Sequence, residues 1–81
     1  MQHHELGLYI KFRRKQLGKS LNKFAFDVEV EPATLSRTEN LKQDIFYKTL
    51  VKIAKGFNQT PAEFLSDFEK KISNTAIQQT H

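Results

Sequence analysis

The amino-acid sequence predicts an all-α fold in a single domain. A chain of 81 residues covers only ~60% of the surface that its unfolded form exposes, so it has material for one small core. Apolar residues recur at helical spacing in successive segments, and residues that cap helices stand in front of several of them. The absence of cysteine removes disulfides and thiolate zinc sites from consideration and suits a reducing compartment.

Two helices are predicted in the first third of the chain. Between Glu5 and Leu17 the apolar residues follow helical spacing, and Gly18 stands where a helix would end in a left-handed residue. Ser20 is a favourable N-cap, so a second helix is expected to start at Leu21.

The end of the second helix has a competing interpretation. Residues Phe26 to Glu31 alternate apolar and charged side chains, which is the local pattern of a strand. We nevertheless predict a helix, because the spacing of the whole segment 21–40 suits two short helices joined by a turn. Pro32 disfavours helical geometry at the residue before it and suits a first helical turn, so a short third helix is predicted over 32–40.

The fourth and fifth helices are predicted from caps and apolar faces. Asp44 is expected to cap the fourth helix, and Thr60 to Glu63 form a capping box with proline at the first helical position of the fifth. The apolar face of the fourth helix comprises Tyr47, Leu50, Val51, Ala54 and Phe57. The apolar stripe of the fifth comprises Phe64, Leu65, Phe68 and Ile72. The predicted domain covers residues 1–72, and a disordered polar tail is predicted over 73–81.

Positive charge is concentrated in the first two thirds of the chain. The net charge is +4 and the isoelectric point is near 9.5. Residues 1–24 contribute +5 and residues 32–59 contribute +3, whereas residues 25–31 contribute −3. A polyanion is therefore the first partner to consider, with ordinary solvated helix faces as the alternative explanation of the same charges.

The sequence has few features of an enzyme or of a membrane protein. It contains no recognisable catalytic triad and no glycine-rich phosphate loop, and its three histidines, all near the termini, predict no metal site and no cofactor. The opening residues MQHHELGL carry no targeting signal, and no apolar stretch approaches the ~20 residues of a membrane span. We therefore expect a soluble cytoplasmic protein that is not an enzyme.

Residues 21–40 combine the features of a helix-turn-helix. Two short helices flank a tight turn, and Ala25 provides the small side chain needed where two helices cross closely. From about Leu6 to Leu65 the sequence resembles the phage-repressor and Cro-like (Xre-like) helix-turn-helix family. The resemblance implies a compact five-helix, lambda-repressor-like DNA-binding domain. The matching stretches are Leu6-Gly7 with Ile10 and Arg14, Ser20 with Phe24-Ala25, Thr34 to Arg37 with Glu39, Thr49-Leu50 with Ile53 to Lys55, and Thr60 to Leu65.

The chain departs from the family pattern at several positions. Glu29 replaces the usual glycine of the turn, where a left-handed conformation would cost roughly 1–2 kcal/mol. Leu21 replaces a glutamine that often contacts phosphate, Thr38 replaces an apolar residue, and Ile45 replaces a proline before the fourth helix. None of these changes removes the predicted scaffold.

The third helix is predicted to read DNA bases. At about 100° per residue, Leu35 and Thr38 point towards the core and Arg37 points outwards. In a major groove an arginine bonds guanine O6 and N7 together, and short side chains contact the thymine methyl group. A surface salt bridge is the alternative role for Arg37. The predicted base-reading residues are Ala33, Thr34, Ser36 and Arg37.

Phosphate contacts are predicted at the start of the second helix and after the third. Exposed N–H groups near Leu21 attract anions, and polar side chains beside them orient the protein on the DNA backbone. Glu31, near the base of the third helix, either accepts from cytosine N4 or repels phosphate, and we favour repulsion. The predicted phosphate contacts are Ser20, Asn22, Lys23, Asn40, Lys42 and Gln43.

The family resemblance also implies a partly buried ion pair between Arg14 and Glu39. Such a pair would fix the third helix against the first without adding net stability, because desolvation offsets most of the attraction. The alternative is that both residues are exposed charges.

These observations leave two hypotheses about function. The first is a sequence-specific transcriptional regulator, and specifically a repressor, that binds a symmetric operator on double-stranded DNA as a homodimer through the major groove. The second is an antitoxin-type module that binds a toxin protein and regulates its own operon. The predicted dimer surface is the stripe of Phe64, Leu65, Phe68 and Ile72. The phenylalanines expected outside the main core are Phe12, Phe26, Phe46 and Phe68.

Overall fold

The structure, a computed structural model, confirms the predicted all-α fold. It describes the backbone of residues 3–40 and 44–79 and the side chains of residues 5–40 and 44–71. No strand occurs in those ranges, and no helix within them is long and apolar enough to cross a membrane. The helices are α1 (His3–Gln16), α2 (Leu21–Val28), α3 (Pro32–Glu39), α4 (Tyr47–Gly56) and α5 (Pro61–Gln79).

The segment with the alternating pattern is helical up to the end of α2. Beyond it, the Glu29 N–H donates to the Phe26 carbonyl (3.3 Å) and the Val30 N–H donates to the Ala25 carbonyl (3.0 Å). Glu29 has the left-handed conformation (φ 60°) that this pair of hydrogen bonds requires. Val30 is buried in the core. The alternation therefore marks a helix end followed by a buried turn residue, and the strand interpretation is wrong.

Glu29 carries backbone strain that a glycine would avoid. A left-handed conformation costs a non-glycine residue roughly 1–2 kcal/mol. α1 and α4 end in the same conformation with Gly18 (φ 71°) and Asn58 (φ 60°), two residue types that adopt it more readily. At Glu29, Lys52 of α4 donates from Nζ to the backbone carbonyl (3.1 Å), so a neighbouring helix supports the strained turn.

α2 and α4 approach each other closely at Gly56. A Cβ atom added there would overlap Cγ1 of Val28 and would lie 3.1 Å from the ring of Phe24. The glycine meets a packing requirement, since its φ is not positive. This close contact seats α4 against the helix-turn-helix.

Aromatic rings form the centre of the core. Phe57, which follows α4, lies between Phe24 and Phe64, with ring centroids 5.0 and 5.5 Å away. Tyr9 of α1 contacts Phe64 and Phe68, each with centroids 5.3 Å apart. The rings thereby join α1, α2 and α5 into one cluster.

Two predictions about α4 are wrong. Asp44 is not the N-cap of the helix, because the N-cap is Phe46, two residues later, and Phe46 makes no side-chain capping bond. Tyr47 is 70% exposed and does not belong to the buried face, whereas Ile53 is fully buried and does. Burial starts at Leu50 and follows helical spacing from there, so the first turn of α4 extends past the core.

The capping box that begins α5 is formed as predicted. The Thr60 N–H donates to Glu63 Oε1 (2.8 Å), and the Glu63 N–H donates to Thr60 Oγ1 (3.1 Å). The helix continues to Gln79, past Ile72, where the sequence pattern ended. The domain boundary at residue 72 and the disorder of the following tail stay predictions.

The apolar stripe of α5 is not uncovered at its two phenylalanines, so the prediction that they form a dimer interface is corrected, and for Leu65 and Ile72 it stays a prediction. Phe64 and Phe68 are fully buried, and Leu65 is half-buried against the core. Tyr9 of α1 packs on both phenylalanines, and the sequence pattern of α5 alone does not reveal that cover. The side chain of Ile72 lies outside the described residues. The other phenylalanines predicted to lie outside the core do so, and they are Phe12, Phe26 and Phe46.

Candidate nucleic-acid interface

One side of α3 is buried and the other faces solvent. The buried side comprises Leu35, Thr38 and Glu39. The solvent side comprises Ala33, Arg37 and Asn40, with Thr34 and Ser36 half-buried at its edges. A helix with its side chains is about 10–12 Å across and matches the ~12 Å width of a major groove. The predicted base-reading residues therefore lie on the accessible side of an element that fits the groove.

Local hydrogen bonds shape both ends of α3. Pro32 occupies the first turn, where no N–H partner is needed, and the N-cap Glu31 makes no side-chain capping bond. The hydroxyl of buried Thr38 donates to the Thr34 carbonyl (2.9 Å), which satisfies a polar group where the family has an apolar residue. Asn40 donates from Nδ2 to the Ser36 carbonyl (2.9 Å), so its side-chain amide helps to cap the C-terminus of the helix.

A buried ion pair fixes α3 against α1. Arg14 donates from Nε to Glu39 Oε2 (2.8 Å) and from Nη2 to Oε1 (3.0 Å), so the guanidinium binds both carboxylate oxygens. Only 8% of the Arg14 side chain and 1% of the Glu39 side chain are exposed. Arg14 also donates from Nη1 to the Lys19 carbonyl (2.8 Å), directly before the N-cap of α2. One arginine therefore holds α3 and the entry to α2 together.

The N-terminus of α2 forms the second part of the candidate interface. The Ser20 Oγ accepts from the Lys23 N–H (3.1 Å) and caps the helix. Ser20, Asn22 and Lys23 are exposed, and Leu21 is partly buried against the core. First-turn N–H groups have no partner inside the helix, so those of Leu21 and Asn22 are suited to bind an anion.

Asp27 binds two lysines near the start of α2. Lys19 donates from Nζ to Asp27 Oδ2 (2.7 Å), and the Nζ of Lys23 lies 3.2 Å from Oδ1. The hydrogen bonds from Lys19 and Lys23 lower the pKa of Asp27 from its ordinary value, because they stabilise the ionised carboxylate. Sequence reasoning missed this cluster, although Lys23 and Asp27 have the i, i+4 spacing at which side chains meet on a helix.

Two predicted phosphate contacts, Lys42 and Gln43, lie outside the described residues. Glu29 and Glu31 are exposed at the turn that leads into α3. Among the described residues, no group of three histidine, cysteine, aspartate or glutamate side chains could hold a metal ion.

The fold and this arrangement define a class of protein. Two short helices joined by a tight turn, the second with a polar solvent-facing side, form a helix-turn-helix DNA-binding domain. Residues 10–64, more than half of the chain, match the family model described as helix-turn-helix. The chain therefore belongs to the phage-repressor and Cro-like (Xre-like) helix-turn-helix family.

Solved structures of the clp gene regulator ClgR from Corynebacterium glutamicum share this fold. One has a TM-score of 0.76 at 20% sequence identity, and the match covers 96% of this chain and 83% of that chain. Another has a TM-score of 0.71 at 20% identity, with 85% of this chain and 90% of that chain covered. At this level of identity the similarity shows the fold alone. No curated protein matches the chain in sequence.

Proposed function

We propose that the protein is a sequence-specific, DNA-binding regulator of transcription that reads the major groove with α3. The observation that carries this proposal is the solvent-facing side of α3, which a buried bidentate ion pair fixes from behind. Base readout needs donors held in place, because loosely positioned side chains discriminate poorly. Arg37 is the proposed donor to guanine O6 and N7. The proposed contacts to thymine methyl groups and neighbouring base edges come from Ala33, Thr34 and Ser36.

The start of α2 supplies the proposed contacts to the phosphate backbone. Its first-turn N–H groups and the exposed side chains of Ser20, Asn22 and Lys23 are available to phosphate oxygens. Asn40, Lys42 and Gln43 are the proposed contacts after α3. Such contacts orient the protein and provide salt-dependent affinity without selecting a sequence. The proposed activity is binding, with no catalytic step.

We further propose that the protein is a repressor that binds a symmetric operator as a homodimer. A single α3 of eight residues reaches only a few base pairs, so a second copy is needed for useful specificity. Two-fold symmetry would place the two α3 helices in successive major grooves, about 34 Å apart. Phe64 and Phe68 are occupied in the core, so other residues must form the dimer surface. The fold shared with ClgR, a gene regulator, agrees with a regulatory role.

Selection of bound fragments from a pool of random DNA duplexes tests this proposal. We expect enrichment of a two-fold symmetric sequence with half-sites about one helical turn, or 10–10.5 base pairs, apart. Affinity should fall with salt at a slope that corresponds to roughly four to eight neutralised phosphates per dimer. Absence of binding at low salt, or binding that does not respond to salt, would contradict the DNA-binding function. Enrichment of an asymmetric site would contradict only the homodimer.

An antitoxin-type protein is the second candidate function, and exposed aromatic side chains favour it. Phe26 is 80% exposed, Phe46 67% and Tyr47 70%. Exposed apolar side chains mark a surface that a partner protein covers when they form one contiguous patch, and these three are the candidates for such a patch. An antitoxin would bind DNA with the same helices and a toxin with such a surface. Purification from the native host separates the candidates, because a stoichiometric second polypeptide supports the antitoxin and a lone dimer supports the repressor.

A further inference from the structure

Positive charge at the start of α2 is partly neutralised from within the protein. Lys23, in the first turn, is one of the proposed phosphate contacts, and Lys19 directly precedes another of them, the N-cap Ser20. Asp27, in the last turn of the same helix, binds Lys19 at 2.7 Å and Lys23 at 3.2 Å. Each carboxylate oxygen of Asp27 therefore has a lysine partner.

Apart from the weak i, i+4 ion pair with Lys23, worth about 0.2–0.5 kcal/mol, the position of Asp27 does not favour the stability of α2. A negative charge near the C-terminus of a helix is unfavourable, because the helix macrodipole is already negative there. Asp27 is also outside the hydrophobic core. Its described contacts are with the two lysines, so its role is to be sought in what those lysines do.

The cluster is accessible enough for an external anion to compete with Asp27. The exposed fractions of the side chains are 24% for Asp27, 33% for Lys19 and 60% for Lys23. Ion pairs with this exposure are weak, and a DNA phosphate offers a lysine an equivalent partner. A phosphate that approaches Lys23 must either draw the ammonium group away from Asp27 or sit close to a second negative charge.

We propose that Asp27 competes with DNA phosphate for Lys19 and Lys23 and so lowers the affinity of the protein for the DNA backbone. This inference rests on the proposed function, because it concerns the same interface. The competition acts on phosphate contacts, which are common to all duplexes, and not on the base contacts of α3. Asp27 therefore reduces affinity for the preferred site and for random DNA by the same factor.

The experiment compares Asp27→Asn with the parent chain on a preferred duplex and on a duplex of random sequence. We expect binding to tighten about three- to tenfold on both duplexes, with their affinity ratio unchanged, since two weak ion pairs are removed. Glu29→Gln is the matched control, because it removes the same charge two residues away. Lys52 contacts the backbone carbonyl of Glu29, so a change of the Glu29 side chain leaves that contact in place. The control should tighten binding by a clearly smaller factor. Circular dichroism checks that each variant retains the parent helix content.

A second background isolates the competition from the general effect of charge. In the double variant Lys19→Gln/Lys23→Gln, the gain in DNA affinity from Asp27→Asn should shrink to the gain from Glu29→Gln. Two results would overturn the proposal while leaving the DNA-binding function intact. One is an equal gain in DNA affinity from Asp27→Asn and Glu29→Gln in the parent chain. The other is an undiminished gain from Asp27→Asn in the Lys19→Gln/Lys23→Gln background. A parent chain that binds neither duplex would overturn both, so the two failures are distinguishable.

Discussion

Phe68→Asp is expected to unfold the protein at room temperature. The Phe68 side chain is fully buried, and its ring packs 5.3 Å from that of Tyr9. Loss of a buried phenylalanine side chain costs about 3–5 kcal/mol, and burial of an unpaired carboxylate adds a further cost. At about 0.05–0.15 kcal/mol per residue, a domain of 81 residues has about 4–12 kcal/mol of stability, which is comparable with the sum of the two costs. Far-UV circular dichroism should show loss of most of the helical signal.

Phe26→Asp provides a matched control for this substitution. It makes the same chemical change at a phenylalanine that is 80% exposed, so the free energy of unfolding should fall by no more than ~1 kcal/mol, which includes the unfavourable negative charge in the last turn of α2. A Phe68→Asp variant with parent helix content and a parent midpoint in urea would show that α1 does not cover Phe68. The apolar stripe of α5 would then again be a candidate dimer surface.

Arg14→Met is expected to lower the free energy of unfolding by about 3–5 kcal/mol, because it leaves the carboxylate of Glu39 buried without its partner. Glu39 has only 1% of its side chain exposed and receives two hydrogen bonds from Arg14. The Lys19 carbonyl loses its bond to Nη1 as well. Urea denaturation followed by circular dichroism measures the loss. Arg37→Met, the same change at an exposed arginine, should shift the free energy of unfolding by no more than ~1 kcal/mol, because the interactions of an exposed arginine are weak.

The double variant Arg14→Met/Glu39→Leu tests whether the ion pair orients α3, separately from its effect on the free energy of unfolding. Apolar replacement of both partners removes the uncompensated charge, so the double variant should recover at least about 2 kcal/mol relative to Arg14→Met. Its discrimination between preferred and random duplexes should nevertheless fall, because α3 and the entry to α2 lose the arginine that joins them. Full discrimination in a stable double variant would mean that the pair does not orient α3.

Local sequence signals predicted the helix-turn-helix because each depends on residues close together in the chain. Thr60 and Glu63 form the expected capping box, and Ser20 caps α2 as expected. The outward direction of Arg37 follows from the helical repeat alone. At Phe26 the strand pattern conflicted with the helix, and the left-handed turn at Glu29 explains why a helix could end there.

The errors arose where the outcome depends on other parts of the fold. Cover of Phe68 comes from Tyr9, 59 positions away in the sequence, and the apolar pattern of α5 contains no information about α1. The predicted start of α4 is too early, because Asp44 is a residue type that often caps helices. In the structure the N-cap is Phe46, which makes no side-chain capping bond, and the helix begins at Tyr47. The lysine cluster around Asp27 could not be predicted from helical spacing, because Lys19 lies outside the regular helix and its position depends on the fold.

The most direct test of base reading by α3 is a comparison of Arg37→Ala with Lys23→Ala on the selected duplex and on random DNA. If Arg37 bonds guanine, Arg37→Ala should weaken binding to the selected duplex by about 1–3 kcal/mol and to random DNA by much less. Lys23→Ala, at a phosphate contact, should weaken both by similar factors. Equal losses on both duplexes for Arg37→Ala would contradict the account, because Arg37 would then be a phosphate contact and α3 would not read sequence through it.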